Sequence, residues 1–205
     1  MADKRITELN AVTTPVESDV FAIVNSNETK KITYGIIRDS IHTSYDTGSL
    51  VESAYLSIYS TGSQALIASG SEQAVTFTST WASNGVTLQE GSKIVMEKAG
   101  TYKFTFVAQV TNLANDVKDS WFWIKYNGTN FPNSTTLMSL NPKKNSSTPS
   151  SQLMTTSIVG IAQNDNDYIQ LYWTGEDLDT AITETPATGP APETPSIIAN
   201  IVRVG

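Results

Sequence analysis

From residue 101 to 111 the chain alternates. Tyr102, Phe104, Phe106, Ala108 and Val110 fall on one side of an extended backbone, and Thr101, Lys103, Thr105, Gln109 and Thr111 fall mostly on the other. A helix would scatter those rings around its circumference, so period two predicts a strand with one buried face. Similar patterning predicts strands at Ala54–Tyr59, Ala74–Thr78, Ser92–Met96, Ser120–Tyr126, Leu153–Ala162, Tyr168–Trp173 and Ile197–Val204. Between them Ala99-Gly100, Asn127-Gly128 and Asn164-Asp165-Asn166-Asp167 supply residues that tolerate positive φ or close their own turns. The pattern holds no long helix. About eight short strands separated by turns predict a mainly β chain, an antiparallel β-sandwich of jelly-roll type. Residues 176–196 hold four of the eight prolines and are expected to form a surface loop before the last strand.

The first 41 residues are patterned differently. An extended arm, Arg5-Ile6-Thr7-Glu8-Leu9, leads through Thr13-Thr14-Pro15 to the apolar run Val20-Phe21-Ala22-Ile23-Val24. After the polar turn Asn25-Ser26-Asn27-Glu28, the segment Thr29-Lys30-Lys31-Ile32-Thr33 suits a strand pairing back on that run as a hairpin. Thr33 is placed to cap a short helix carrying Ile36, Ile37 and Ile41, which Gly35 weakens. So few apolar residues do not offset about 1–2 kcal/mol of backbone entropy per residue, so the module is expected to fold against a partner or its own copies. Residues 42–51 are polar and aperiodic and read as a linker. The expected organisation is a small module at 1–41, a linker at 42–51 and a β-domain at 52–205.

Composition narrows the function classes. Charged residues make up only 16% of the chain, and the balance of 13 basic against 20 acidic gives a net charge of −7. Nucleic-acid affinity rests on basic side chains displacing counterions, so nucleic acid is not an expected partner. The acidic balance itself fits a soluble surface. With no cysteine, neither disulfides nor thiolate metal sites hold the fold. No stretch reaches the roughly 18 apolar residues of a membrane span, and no signal-peptide core follows Met1, so a soluble protein made in a cytoplasm is expected. The Asn-x-Ser/Thr sequences at Asn27, Asn127, Asn133 and Asn145 then read as turn residues rather than glycan sites.

Catalytic chemistry finds little support. His42, the only histidine, sits in the linker with no nucleophile near it in sequence. No phosphate-cradling loop, His-Glu-x-x-His helix or Gly-x-Ser-x-Gly elbow occurs, and no cofactor is implied. Glu176, Asp177 and Asp179 have the groups for glycoside hydrolysis but lie in the proline-rich segment, where preorganisation is hard to achieve. Asp165, Asn166 and Asp167 carry oxygen ligands suited to calcium, yet their spacing does not match a twelve-residue calcium loop, and they read as a plain hairpin turn. Trp81 and Phe131 suit either the core or stacking on sugar rings of a host surface glycan.

Several pieces of the C-terminal part resemble the phage branch of the complement-component and tumour-necrosis-factor-like jelly rolls. They are Ala54 to Thr61, Ala99-Gly100-Thr101-Tyr102-Lys103-Phe104, Trp121 to Thr129, Pro132 to Thr135, Asp167 to Trp173 and Pro195-Ser196-Ile197-Ile198. The N-terminal pattern, Ile6-Thr7-Glu8-Leu9, Thr13-Thr14-Pro15, Asp19 to Val24 and Thr29 to Thr33, resembles the opening segment of phage head-fibre, tail-fibre and neck-associated proteins. Asn10 stands where such segments usually carry proline, which leaves the arm less fixed.

These resemblances imply a homotrimeric, non-enzymatic structural protein on the surface of a bacteriophage particle, a capsid decoration or head fibre docked on a capsid, neck or tail protein. The alternative they leave open is a short tail-fibre adhesin that binds the host. Arg5, Ile6, Leu9, Val20, Phe21, Ile23 and Ile32 become the candidates for attachment to the particle. Four rings in six positions put aromatics on both faces of one strand. Trp121, Trp123 and Tyr126, with Tyr168 and Tyr172, are therefore the expected three-fold contacts, the other possibility being an ordinary core with one exposed ring.

Overall fold

The computed structural model describes residues 16, 20–25, 28–34, 36–37 and 53–205, and the chain divides into two compact units, residues 1–50 and 51–205. In the first unit β1 (Val20–Asn25) and β2 (Glu28–Thr33) form the expected antiparallel hairpin, with Val20 opposite Thr33 and Asn25 opposite Glu28. Tyr34, Ile36 and Ile37 are helical, and the Ile36 amide donates to Thr33 Oγ1 at 3.3 Å, the cap that the threonine predicts. Arg5, Ile6, Leu9, His42 and the linker 42–51 lie outside the described residues.

The second unit is built from strands alone. In chain order they are β3 (Tyr55–Ser60), β4 (Gln64–Ala65), β5 (Gln73–Ala74), β6 (Ser79–Asn84), β7 (Val86–Gln89), β8 (Lys93–Met96) and β9 (Gly100–Asn112). There follow β10 (Lys118–Tyr126), β11 (Thr129–Asn130), β12 (Thr136–Leu140), β13 (Ser150–Ala162), β14 (Tyr168–Gly175), β15 (Thr180–Ile182) and β16 (Ile197–Arg203). The eight principal strands pair as nested hairpins, all antiparallel. β3 pairs with β16, β8 with β14, β9 with β13, and β10 with β12. That is one long hairpin rolled on itself, the expected jelly roll. Its first sheet runs β6-β3-β16-β9-β13 and its second β7-β8-β14-β10-β12.

Alternation decides what lies between the sheets. Tyr102, Phe104, Phe106, Ala108 and Val110 of β9 are all buried, as their period predicts. They meet Phe122 of β10 and Trp173 of β14, with ring centroids 5.6 Å apart for Phe106–Phe122 and 6.0 Å for Phe122–Trp173. Burying each such ring contributes about 1.5–3 kcal/mol. Asn112, fully buried where β9 ends, has both ends of its amide bonded, donating to Asp116 O and Asn141 O and accepting from the Ala114 amide. Asn127 and Gly128, at φ 46° and 81°, make the two-residue turn from β10 to β11, where only a left-handed backbone follows the strand twist.

Three local expectations need correction. Of the predicted strand Ala74–Thr78 only Ala74 joins a ladder; Val75 and Phe77 still point into the core, but Thr76 bonds Gln64 and Phe77 bonds Gly91. Residues 176–196 are not plain loop, because they contain β15 and a proline-rich excursion bridged at Thr185–Thr194 and Thr188–Ala191. Residues 164–167 do not close a hairpin: they carry the chain from β13 in one sheet to β14 in the other, with Asn166 at φ 66°.

Candidate interaction surface

The outward face of the first sheet is nearly uncharged and sets exposed apolar side chains among small polar ones, where a fully solvated sheet would be more uniformly polar. One row across it reads Val159, Lys103, Val202, Tyr55, Asn84. The next reads Ser157, Thr105, Asn200, Ser57, Ala82, and the third Thr155, Val107, Ile198, Tyr59, Ser79. Leu153 and Ile161 extend the face along β13, where Leu153 is 64%, Val159 59% and Ile161 66% exposed. Across these three rows Lys103 is the single charged side chain. Exposed apolar side chains are ordinary when scattered; here they share one flat face, as at a binding surface.

Strand β13 makes the case stronger. Among the described residues it pairs only with β9, over 13 residues in unbroken register, so its other edge presents unpaired backbone groups. Edge strands are normally blunted by charge, proline or a bulge. Ser150–Ala162 has none of these.

At the opposite edge of the sheet, β6 does carry a bulge. Ser57 faces Ala82 and Ile58 faces Thr80, so Trp81 is the extra residue. Its ring stacks on Tyr59 with centroids 4.4 Å apart and 26° between planes, yet stays 57% exposed.

The rings singled out in the sequence lie elsewhere. Trp121, Trp123, Tyr168 and Tyr172 occupy the outward face of the second sheet, all half-buried, while Phe122, Leu171 and Trp173 fill the core. Trp123 and Tyr172 face each other across β10 and β14 at 5.9 Å, and Trp123 Nε1 donates to Asn130 Oδ1 at 2.9 Å. Lys125 sits 4.1 Å above the Tyr172 ring and 2.5 Å from Glu72, and Lys93 lies 5.4 Å from the Tyr168 ring. These rings are thus partly covered within their own chain, as Tyr59 of the first sheet is by Trp81.

Tyr126 falls on the opposite side of β10 from Trp121 and Trp123. Its hydroxyl donates to the buried Asp167 carboxylate, which also accepts from Asn127 Nδ2 and the Asn164 amide, both at 2.8 Å. The Tyr126 bond, with those from Asn127, Asn164 and Gln163, holds Asp167 down to about 2, while burial pushes the Tyr126 hydroxyl up.

In the first unit Val20 is exposed and Ile32 half-buried, and Phe21 and Ile23 lie on β1 opposite Ile32 and Lys30. Of the acids considered for hydrolysis, the Glu176 and Asp177 carboxylates are engaged. Glu176 accepts from the Asp119 amide, Asp177 pairs with Lys118 at 3.0 Å, and the Asp179 amide donates to Asp177. Asp165 bonds Lys98 and the Ala99 amide, which holds its carboxyl below the usual range. Among the described residues no group of three or more His, Asp or Glu is placed to hold a metal ion, and no helix is long and apolar enough to cross a membrane.

The sequence reading missed the first-sheet surface. Its signal was present in β13, where Leu153, Val159 and Ile161 alternate with Met154, Ile158 and Ala162, leaving apolar residues on both faces.

Fold and surface together define a β-sandwich jelly-roll protein whose first sheet, among the described residues, carries exposed apolar side chains on its outward face. No family model matches the chain, and no curated protein matches its sequence. Among solved structures it is similar to the crystal structures of murine APRIL. At pH 8.5 the identity is 9% and the TM-score 0.47; at pH 5.0 they are 8% and 0.44. Each match covers 75% of this chain and 100% of the other. The jelly-roll assignment rests on the nested strand pairing itself.

Proposed function

We propose that this chain is a non-enzymatic structural protein of a bacteriophage particle. Three copies associate through the outward face of the first sheet, and residues 1–41 dock the trimer on a capsid, neck or tail protein. The jelly roll then faces outward as a decoration or head fibre. The observation that carries this reading is the face of Leu153, Val159, Ile161, Val202 and Tyr55 around a single charge, bordered by an unprotected edge strand. Such a surface suits assembly better than life in water. The phage setting and the three-fold order come from the resemblances of the two sequence segments.

Two measurements test the proposal. Sedimentation of the full chain across a dilution series is expected to show a trimer, and a monomer at every concentration would refute it. Antibody labelling of intact particles is expected to place the protein on the capsid or neck, and deleting residues 1–41 should give a soluble trimer that no longer joins the particle.

A second reading, the tail-fibre adhesin, is favoured by the exposed Trp81 ring stacked on Tyr59, a flat apolar surface suited to a sugar ring. Glycan binding abolished by Trp81→Ala, with adsorption blocked by the purified protein, would select it.

A further inference from the structure

We propose that the outward face of the second sheet binds an extended chain of neutral sugars, with the rings of Trp121, Trp123, Tyr172 and Tyr168 as its stacking surfaces. A decoration and an adhesin are equally able to carry such a site, so the inference goes beyond both readings above, and it uses a different sheet from Trp81. In the ladder of β10 with β14, Trp121 stands opposite Thr174, Trp123 opposite Tyr172 and Lys125 opposite Gln170. From the row of Thr174 to Tyr168 the face runs roughly 20 Å, at about 3.3 Å of rise per residue. That length suits several sugar units in a row rather than one small molecule.

The rings are fixed before any ligand arrives. Trp123 Nε1 is tied to Asn130 Oδ1 at 2.9 Å, the Lys125 ammonium lies 4.1 Å from the Tyr172 ring centre, and Lys93 lies 5.4 Å from that of Tyr168. All four rings stay half-buried, so each is held by its neighbours and still reaches solvent. A platform that is already ordered gives up little freedom on binding.

Charge then selects the ligand. Lys125 is paired with Glu72 at 2.5 Å and Lys93 with Glu90 at 2.8 Å, so both cations beside the rings are matched by carboxylates. Single-stranded nucleic acid also stacks on rings, but it needs unmatched basic groups along its phosphates, and this chain has a net charge of −7. The core of a protein interface is depleted in charge, whereas two ion pairs stand among these rings. A neutral sugar has the complementary character: its C–H face lies on a ring plane, and its hydroxyls both donate and accept. Glu72 and Glu90, both exposed, supply acceptors for those hydroxyls. Exposed Asn130, its oxygen taken by Trp123, supplies an amide donor.

The test titrates the full-length chain with cellohexaose, maltohexaose, mannohexaose and chitohexaose by calorimetry. At least one is expected to bind with a Kd below about 1 mM. Trp121→Leu and Trp123→Ala should each weaken that binding ten-fold or more, with urea unfolding showing that the variant is folded under the assay conditions. Trp123→Phe, which keeps a ring, should recover part of the loss. No binding to any of the four sugars would overturn the proposal, and so would equal affinity in the wild type and both ring-deleting variants. Loss of binding on Trp81→Ala with the second-sheet variants unaffected would move the sugar to the first sheet. Altered sedimentation of those variants with unchanged sugar affinity would assign their face to a second copy of the chain, and either result overturns the site.

Discussion

Replacing Leu153, Val159 and Ile161 together with threonine separates assembly from folding. All three side chains point away from the sandwich and are 59–66% exposed in the single chain, so the substitution removes little that the monomer buries. Threonine is β-branched and suits the strand, as the valine and isoleucine it replaces do, so the loss of monomer stability should stay within about 1 kcal/mol. In a trimer each new hydroxyl leaves water without an assured partner, at about 1–3 kcal/mol by mutational data. With three positions on each of three subunits the cost is about 10–25 kcal/mol per trimer. Each 1.4 kcal/mol is a factor of ten in an equilibrium constant, so even a third of the total shifts dissociation by orders of magnitude. Sedimentation velocity across a dilution series, with urea unfolding of the dissociated chain alongside, reads both quantities. The expected result is a folded monomer at micromolar concentration. A triple variant that sediments as a trimer over the same range as the wild type would refute the assignment of this face to assembly.

Further perturbations address the neighbouring features. Trp123→Ala should lower the stability of the folded chain by about 1–3 kcal/mol, through loss of the Tyr172 contact and the Asn130 bond, and leave association unchanged. A trimer that falls apart on this change would instead place the interface on the second sheet. Asp167, held at about 2 against an ordinary 3.8, stabilises the fold fully above about pH 4, and that contribution is lost as pH falls toward 2. Between those values urea unfolding of the wild type should lose about 2 kcal/mol from this group, a slope that Asp167→Asn lacks; equal slopes would refute it. Ser120 Oγ is buried with no hydrogen-bond partner, so Ser120→Ala should leave stability unchanged or raise it by about 1 kcal/mol, and a loss in thermal unfolding would show an unseen partner.

Long strands with one buried face were the most legible part of the sequence. In β9 every second residue from Tyr102 to Val110 is a core residue, and the rings leave no other reading. The Asn127-Gly128 turn was equally plain, because few other pairs accept two left-handed residues. Strand β6 escaped notice because Ser79–Asn84 is largely exposed on both sides and its bulge at Trp81 breaks the alternation. The predicted strand after Ala74 had the right inward residues but no ladder partner, since a strand needs neighbours that local pattern does not supply. The surface was the least legible. Val159, Lys103, Val202 and Tyr55 come from four strands, and only the cross-strand register brings them into one row.

That register also shows how the outward faces of the two sheets differ. On the second sheet Lys125 covers Tyr172, Glu72 holds Lys125, and Asn130 takes the Trp123 indole proton, so that aromatic face is largely completed within one chain. On the first sheet the rows of Val107, Ile198 and Ser157 contain no charged residue, and β13 ends the sheet, among the described residues, without a charge or a proline. A lone chain would carry that edge as a standing liability for pairing with other strands. An assembly that seated a neighbour on it would satisfy the backbone and cover the exposed apolar side chains through one contact, which is why the proposed association is placed at the β13 border.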